Sequence, residues 1–415
     1  MRESTSLLVI AIRLCLVLFI TNSTNLPSFP KQARKAGQAL PSCPPSRTWG
    51  QITPSPFLTR DHILFFRDET ALWRSNDEGE HWRLIYQAPV PIGRIEFFRV
   101  VPDAHTSGLH LYVLSAVSQP SPGDRTWLLR STNQGDTWDE RSTCQPNCRG
   151  IFPTDRSNTL FAALVEPPLI IFEGKGVRRS DDGGLIWQVV LGSVGVSNIV
   201  ASPAFSDDHT VLATTWEWNE PPPSWLIASF DGGYTWIARD SGLGGPVGNL
   251  VFSPAFATDH TLFTFAASEI FLTRNAGASW HLVSNLGGPS IMDMDISPNH
   301  SADLTVFVAI PFAILESNDQ GANWSVLTSA NQYSELTVVG EPVMAAQLPP
   351  ASANRSYLPL IATSLIGGYP DLHFFLATGP VAGNKTFYHS SDNGLNWRCV
   401  IPPAEGISAS LGVIT

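Results

Sequence analysis

The chain has 415 residues, 43% of them hydrophobic, with 33 prolines, 32 glycines and no long polar tract. That composition excludes a disordered or fibrous protein and supplies enough apolar material for a large core. Thirty-six acidic residues against 25 basic ones give a formal net charge of −11, and the four lysines are Lys31, Lys35, Lys175 and Lys385; with no basic patch for a phosphate backbone or an anionic membrane, neither nucleic acid nor lipid headgroups are expected partners.

In chain order, Arg2 precedes the apolar run Leu7 to Ile20 and the small polar residues Thr21-Asn22-Ser23. This predicts a secretory signal over 1–23, and so a secreted or cell-surface protein. Arg13 interrupts the run and keeps open a short uncleaved anchor, although 14 residues are few for crossing a bilayer. Residues 24–46 carry Pro27, Pro30, Pro41, Pro44 and Pro45 and read as a linker. In an oxidising compartment the four cysteines beyond the signal allow three pairings. Cys144 and Cys148 are close enough to pair locally. That would leave Cys43, ahead of the repeats, to join Cys399 near their end, at a stabilisation on the order of 5 kcal/mol from chain entropy.

From residue 47 to 415 the chain is built of repeats. Ser/Thr-x-Asp/Asn-x-Gly-x-x-Trp occurs seven times: Ser75 to Trp82, Ser131 to Trp138, Ser180 to Trp187, Ser229 to Trp236, Thr273 to Trp280, Ser317 to Trp324 and Ser390 to Trp397. The third-position side chain (Asp77, Asn133, Asp182, Asp231, Asn275, Asp319, Asp392) can accept hydrogen bonds from the amides of its own turn, and the glycine two residues on can take a positive φ. The tryptophan then opens a strand and anchors in apolar surface. A second signature, Ser-Pro-x-x-x-x-Asp-x-Thr-Leu/Val-Leu/Phe, follows each box serine by 22 to 24 residues in the clear cases (Ser202, Ser253, Ser297), with weaker echoes from Ser55 and Pro153. Each repeat therefore reads as four antiparallel strands, with the second signature between strands one and two and the box between strands three and four. This predicts an all-β fold, a single seven-bladed β-propeller of four-stranded blades. Counts of six or eight stay open because residues 331–386 hold several strand-like runs.

The boxes resemble the Asp-box (BNR) repeat of sialidase-like propellers, a group that includes photosystem II assembly factors, sortilin-type receptors and xyloglucan-cleaving glycosidases. The resemblance implies that the box residues are structural and lie away from the ligand face. It leaves function open, since the fold serves many.

Both signatures fall on one face of such a ring. Function is then expected on the other, made of the two-to-three connections and the links between blades. Blade 5 needs only Ala266 to Glu269 for its connection, whereas blades 2, 3, 4 and 7 read as expanded. In blade 4, Trp216-Glu217-Trp218-Asn219-Glu220-Pro221-Pro222-Pro223-Ser224-Trp225 combines stacking rings and carboxylates, the elements of a sugar or peptide groove; packing against neighbouring blades is the plainer role for Trp216 and Trp218. Arg125 in blade 2, Glu173 in blade 3, and Tyr369, Asp371 and His373 in blade 7 complete the ligand candidates. Were the protein a glycoside hydrolase, Glu166, Glu217 and Glu220 would be the carboxylates available. A sialidase would need a three-arginine cluster and an Arg-Ile-Pro segment before the first box; the nearest string, Phe98-Arg99-Val100-Val101-Pro102, follows that box and is one residue too long. No metal centre or cofactor motif is found, and His62, His209 and His260 read as turn residues. The expectation is an exported, non-catalytic, monomeric propeller that binds a protein or a carbohydrate.

Overall fold

A computed structural model of the chain describes residues 40–43, 50–89, 93–102, 108–117, 125–141, 148–154, 159–164, 176–192, 194–216, 224–329, 333–339, 372–378 and 385–403. Seven sheets form, each of four consecutive antiparallel strands paired in sequence order. Blade 1 runs from Gln51–Pro54 to Arg83–Gln87, blade 2 from Gly93–Pro102 to Asp139–Glu140 and blade 3 from Cys148–Pro153 to Gln188–Gly192. Blade 4 runs from Gly195–Ala201 to Ile237–Ala238, blade 5 from Val251–Phe252 to His281–Asn285, blade 6 from Asp293–Ile296 to Ser325–Ser329, and blade 7 from Tyr333–Val339 to Arg398–Val400. The seven-bladed expectation holds.

A sheet buried on both faces needs apolar residues at successive positions, and the second strands supply them: Leu64–Arg67, Leu262–Ala266, Val306–Ile310 and His373–Thr378 are buried nearly throughout. Their side chains alternate between the two neighbouring blades, so the core is divided into one cluster per interface. Phe65 and Leu72 of blade 1 meet Phe98 and Leu111 of blade 2; Phe263 and Leu272 of blade 5 meet Met294 and Val308 of blade 6. The seventh cluster brings Phe375, Phe387 and Val400 of blade 7 against Ile52, Leu64 and Phe66 of blade 1 and closes the ring. At roughly 1.5–3 kcal/mol for each fully buried large side chain, these seams dominate the cohesion between blades.

The turns of one face are built alike. In each box the first-position hydroxyl accepts the N–H of the glycine, as in Gly79 to Ser75 at 2.7 Å and Gly233 to Ser229 at 2.7 Å, and donates to the third-position oxygen. That oxygen also takes the N–H at the seventh position, as Asp77 does from His81 at 2.9 Å. The glycines have φ between +77° and +96°, and the fourth position is left-handed as well, including Glu78, Gln134, Ala276, Gln320 and Asn393. The strand register accounts for the glycine: a Cβ on Gly135 would lie 2.5 Å from Ile85 of blade 1, and one on Gly233 would lie 2.6 Å from Phe161 of blade 3.

The Ser-Pro signature encloses a feature absent from the sequence reading, a one-turn helix at Leu58–Asp61, Phe205–Asp208, Phe256–Asp259 and His300–Asp303. In each, the signature serine donates to the aspartate six residues on, at 2.5 to 2.6 Å. His62, His209 and His260 end three of these helices in the left-handed conformation, as turn residues, and Leu304 ends the fourth.

Because no blade borrows a strand from the other end of the chain, the termini are joined by other means. Cys43 and Cys399 form a disulfide across 356 residues with Cα atoms 5.6 Å apart, as the pairing arithmetic anticipated. Trp82 of blade 1 donates from Nε1 to the carbonyl of Ile401 at 3.0 Å. Cys144 lies outside the described residues, so its pairing with Cys148 does as well.

Candidate functional site

Most of the loop-face candidates fall outside the described residues: Glu166, Glu173, Glu217, Trp218, Glu220, Tyr369 and Asp371. Those that are placed frame the connections. Arg125 opens the third strand of blade 2 opposite Val117. Trp216 ends the second strand of blade 4 opposite Gly195. Half-buried Trp225 begins the return, its N–H donating to Asp240 at 2.8 Å and its carbonyl accepting from Thr215 at 3.1 Å. Strand two of blade 4 thus ends at Trp216 and strand three is entered from Trp225, both at the end of the sheet opposite the box, while 217–223 lie outside the described residues.

Blade 7 requires a correction. His373 opens its second strand, His373–Thr378, which pairs with both Tyr333–Val339 and Thr386–Ser390. The extra length of this blade, 340–371, therefore falls in the sequence between strands one and two, outside the described residues, and the two-to-three connection falls between Thr378 and Thr386. The continuous burial of His373 to Thr378 decides the matter, since such a stretch belongs inside the sheet.

His373 is instead part of a cluster at the seam between the last and first blades. Its Nδ1 lies 2.9 Å from Nε2 of His389, on the third strand of blade 7, with the ring centroids 5.0 Å apart. His389 is fully buried, lies flat on Phe375 with centroids 4.4 Å apart, and points its Nδ1 at Oε2 of Glu78 across 3.6 Å. Glu78, at the left-handed fourth position of the first box, reaches Nδ1 of His62 with Oε1 at 2.9 Å and Nη2 of Arg398 with Oε2 at 3.1 Å. Arg398 also donates to the carbonyl of Glu78 at 2.7 Å and to Glu80 at 3.3 Å. Burial, with the charge of Arg398 adding to it, pushes His389 down to about 3, so the ring is neutral at physiological pH. Burial works to raise Glu78, but the hydrogen bond with His62 and the charge of Arg398 outweigh it and hold the carboxyl low. Sequence reasoning missed this constellation because its members are separated by about 300 residues and meet only when the ring closes.

Two aspartates on the first strand of blade 6 form a second polar feature. Asp295 accepts the N–H groups of Val338 and Ile296, both at 2.9 Å, and Asp293 accepts those of Leu336 at 3.1 Å and Met294 at 2.9 Å. Burial of the half-buried side chain against blade 7, with a contribution from Asp293, pushes Asp295 up to about 7. Both carboxylates satisfy the backbone of blade 7's first strand, which identifies them as inter-blade fasteners. Arg99, in the string that departs from the sialidase pattern, stacks on Phe97 at 3.8 Å and donates to the carbonyl of Phe98 at 3.0 Å.

No protein-family model matches the chain, and no curated protein does. Among solved structures it is similar to an ancestral GH74 enzyme at 16% identity and TM-score 0.55, over 86% of this chain and 46% of that one. It is also similar to an oligogalacturonate lyase in complex with manganese at 9% identity and TM-score 0.49, over 71% of this chain and 86% of that one. A third match is to a nidogen/laminin complex, at 12% identity and TM-score 0.41, over 63% of this chain and 91% of that one. The chain spans less than half the length of the GH74 enzyme, and at these identities the likeness is one of fold.

Proposed function

We propose that this protein is an exported binding module that recognises a protein or glycan partner on the face opposite the Asp boxes. The observation that carries the reading is how completely the boxed face is used internally. All seven first-position hydroxyls bond the glycine N–H of their own turns, and the third-position oxygens they meet hold those turns closed. At the opposite end of blade 4, Trp216 closes strand two and Trp225 precedes strand three, so they bracket the segment 217–223, whose proline-rich sequence breaks the repeat. Aromatic rings at the base of a proline-rich loop offer rigid apolar surface for a sugar face or a peptide. The Cys43–Cys399 disulfide supports export, since such bonds persist in oxidising compartments.

A glycan array and a peptide array probed with the purified protein test the reading. Saturable binding that weakens at least tenfold in Trp218→Ala or Trp225→Ala, with no product formed from any bound glycan, is the expected result. Turnover that disappears in Glu217→Gln or Glu166→Gln while binding survives would replace it with a glycoside hydrolase.

A further inference from the structure

The seam cluster has the makings of a metal site. Glu78, His373 and His389 each bring one donor atom within 4.8 Å of the other two. Nδ1 of His389 is buried without a hydrogen-bond partner, and the group it faces is Oε2 of Glu78 at 3.6 Å. That gap is too long for a hydrogen bond. It is close to the spacing of roughly 3.3–3.5 Å between two ligands held about 2.0–2.2 Å from one tetrahedral ion. An orphaned, fully buried ring nitrogen is costly, and a cation placed between it and the carboxylate would satisfy both.

We propose that Glu78, His373 and His389 bind a divalent first-row transition-metal ion of the zinc type, which ties blade 7 to blade 1 at the ring closure. The donor set of two imidazoles and one carboxylate suits zinc and disfavours magnesium and calcium, which take oxygen ligands. The elements that carry the donors are firm: His373 and His389 stand on adjacent paired strands, and Phe375 supports the His389 ring. Glu78 is fixed by its own backbone, whose N–H donates to the carbonyl of His62 at 3.0 Å. Arg398 is the competing cation on Glu78. It keeps Glu80 and the Glu78 carbonyl as acceptors once the ion has taken the carboxylate. Since the ligands come from opposite ends of the chain, the ion would act on the same joint as the disulfide.

The test is isothermal titration of the chelator-stripped full chain with Zn²⁺, with Mg²⁺ as the control, alongside the visible absorption of bound Co²⁺. The expected result is one site per chain of submicromolar affinity, a rise of several degrees in the unfolding midpoint with Zn²⁺, and a Co²⁺ spectrum of low coordination number. Glu78→Gln, which keeps the hydrogen-bonding shape, and His389→Ala should each lower the affinity at least a hundredfold, and the midpoint without metal shows whether each variant is folded. No saturable uptake by the wild-type chain, uptake unchanged by both substitutions, or equal affinity for Mg²⁺ would each overturn the proposal.

Discussion

Asp295 makes the pairing of blades 6 and 7 sensitive to pH. Its carboxyl is held at about 7 in the folded protein, because burial penalises the charged form, against an ordinary value of 3.8. A group raised on folding stabilises the folded state fully below its unfolded pKa, and that contribution is lost as pH climbs through the folded value. The interval of about three pH units corresponds to about 4 kcal/mol in the limit, of which about 2.5 kcal/mol disappears between pH 5 and pH 8. Asp295→Asn retains an oxygen for the Val338 N–H at 2.9 Å and cannot ionise. Urea unfolding of the two proteins across pH 5 to 8 isolates the effect, because every other titrating group cancels in the difference. The wild type should lose stability relative to the asparagine variant as pH rises, by about 2.5 kcal/mol over this range. A difference that stays constant with pH would refute the reasoning and show that the carboxylate is ionised throughout, held by its two amide donors.

Two further outcomes follow from the packing. Gly233→Ala, at φ +95° with its new methyl 2.6 Å from Phe161, should cost about 2–4 kcal/mol in denaturant unfolding, combining a left-handed backbone with overpacking; a loss below about 0.5 kcal/mol would mean that the blade 3 and blade 4 interface yields freely. Cys43→Ser opens a loop of 356 residues, and unfolding should show a loss of roughly 5 kcal/mol. Reductant should reproduce that loss in the wild type and leave the variant unchanged.

What was legible in the sequence was local. A box spans eight residues, and its hydroxyl, carboxylate, glycine and tryptophan act on one another or on the adjacent blade, so Ser75 to Trp82 can be read without knowing what lies beyond it. The disulfide was readable because the positions of Cys43 and Cys399, ahead of the repeats and near their end, already implied a meeting. The one-turn helices were hidden because Leu58–Asp61 and its equivalents lack helical periodicity at four residues. His373 was misplaced because strand boundaries within 331–386 depend on pairing partners. The Glu78, His373 and His389 group and the Asp295 fastener depend on which blades become neighbours, a property of the closed ring that no single window of the chain contains.

Every sheet is assembled from four consecutive strands, so the point at which the polypeptide begins is arbitrary with respect to the architecture. A circular permutant that opens the segment 240–249 between blades 4 and 5, and splices the native ends where Cys43 meets Cys399, would keep each blade whole and turn today's seam into an ordinary interior joint. The same modularity lets a gene of this kind lengthen or shorten by whole units, with adjustment confined to the angle at which neighbouring sheets meet.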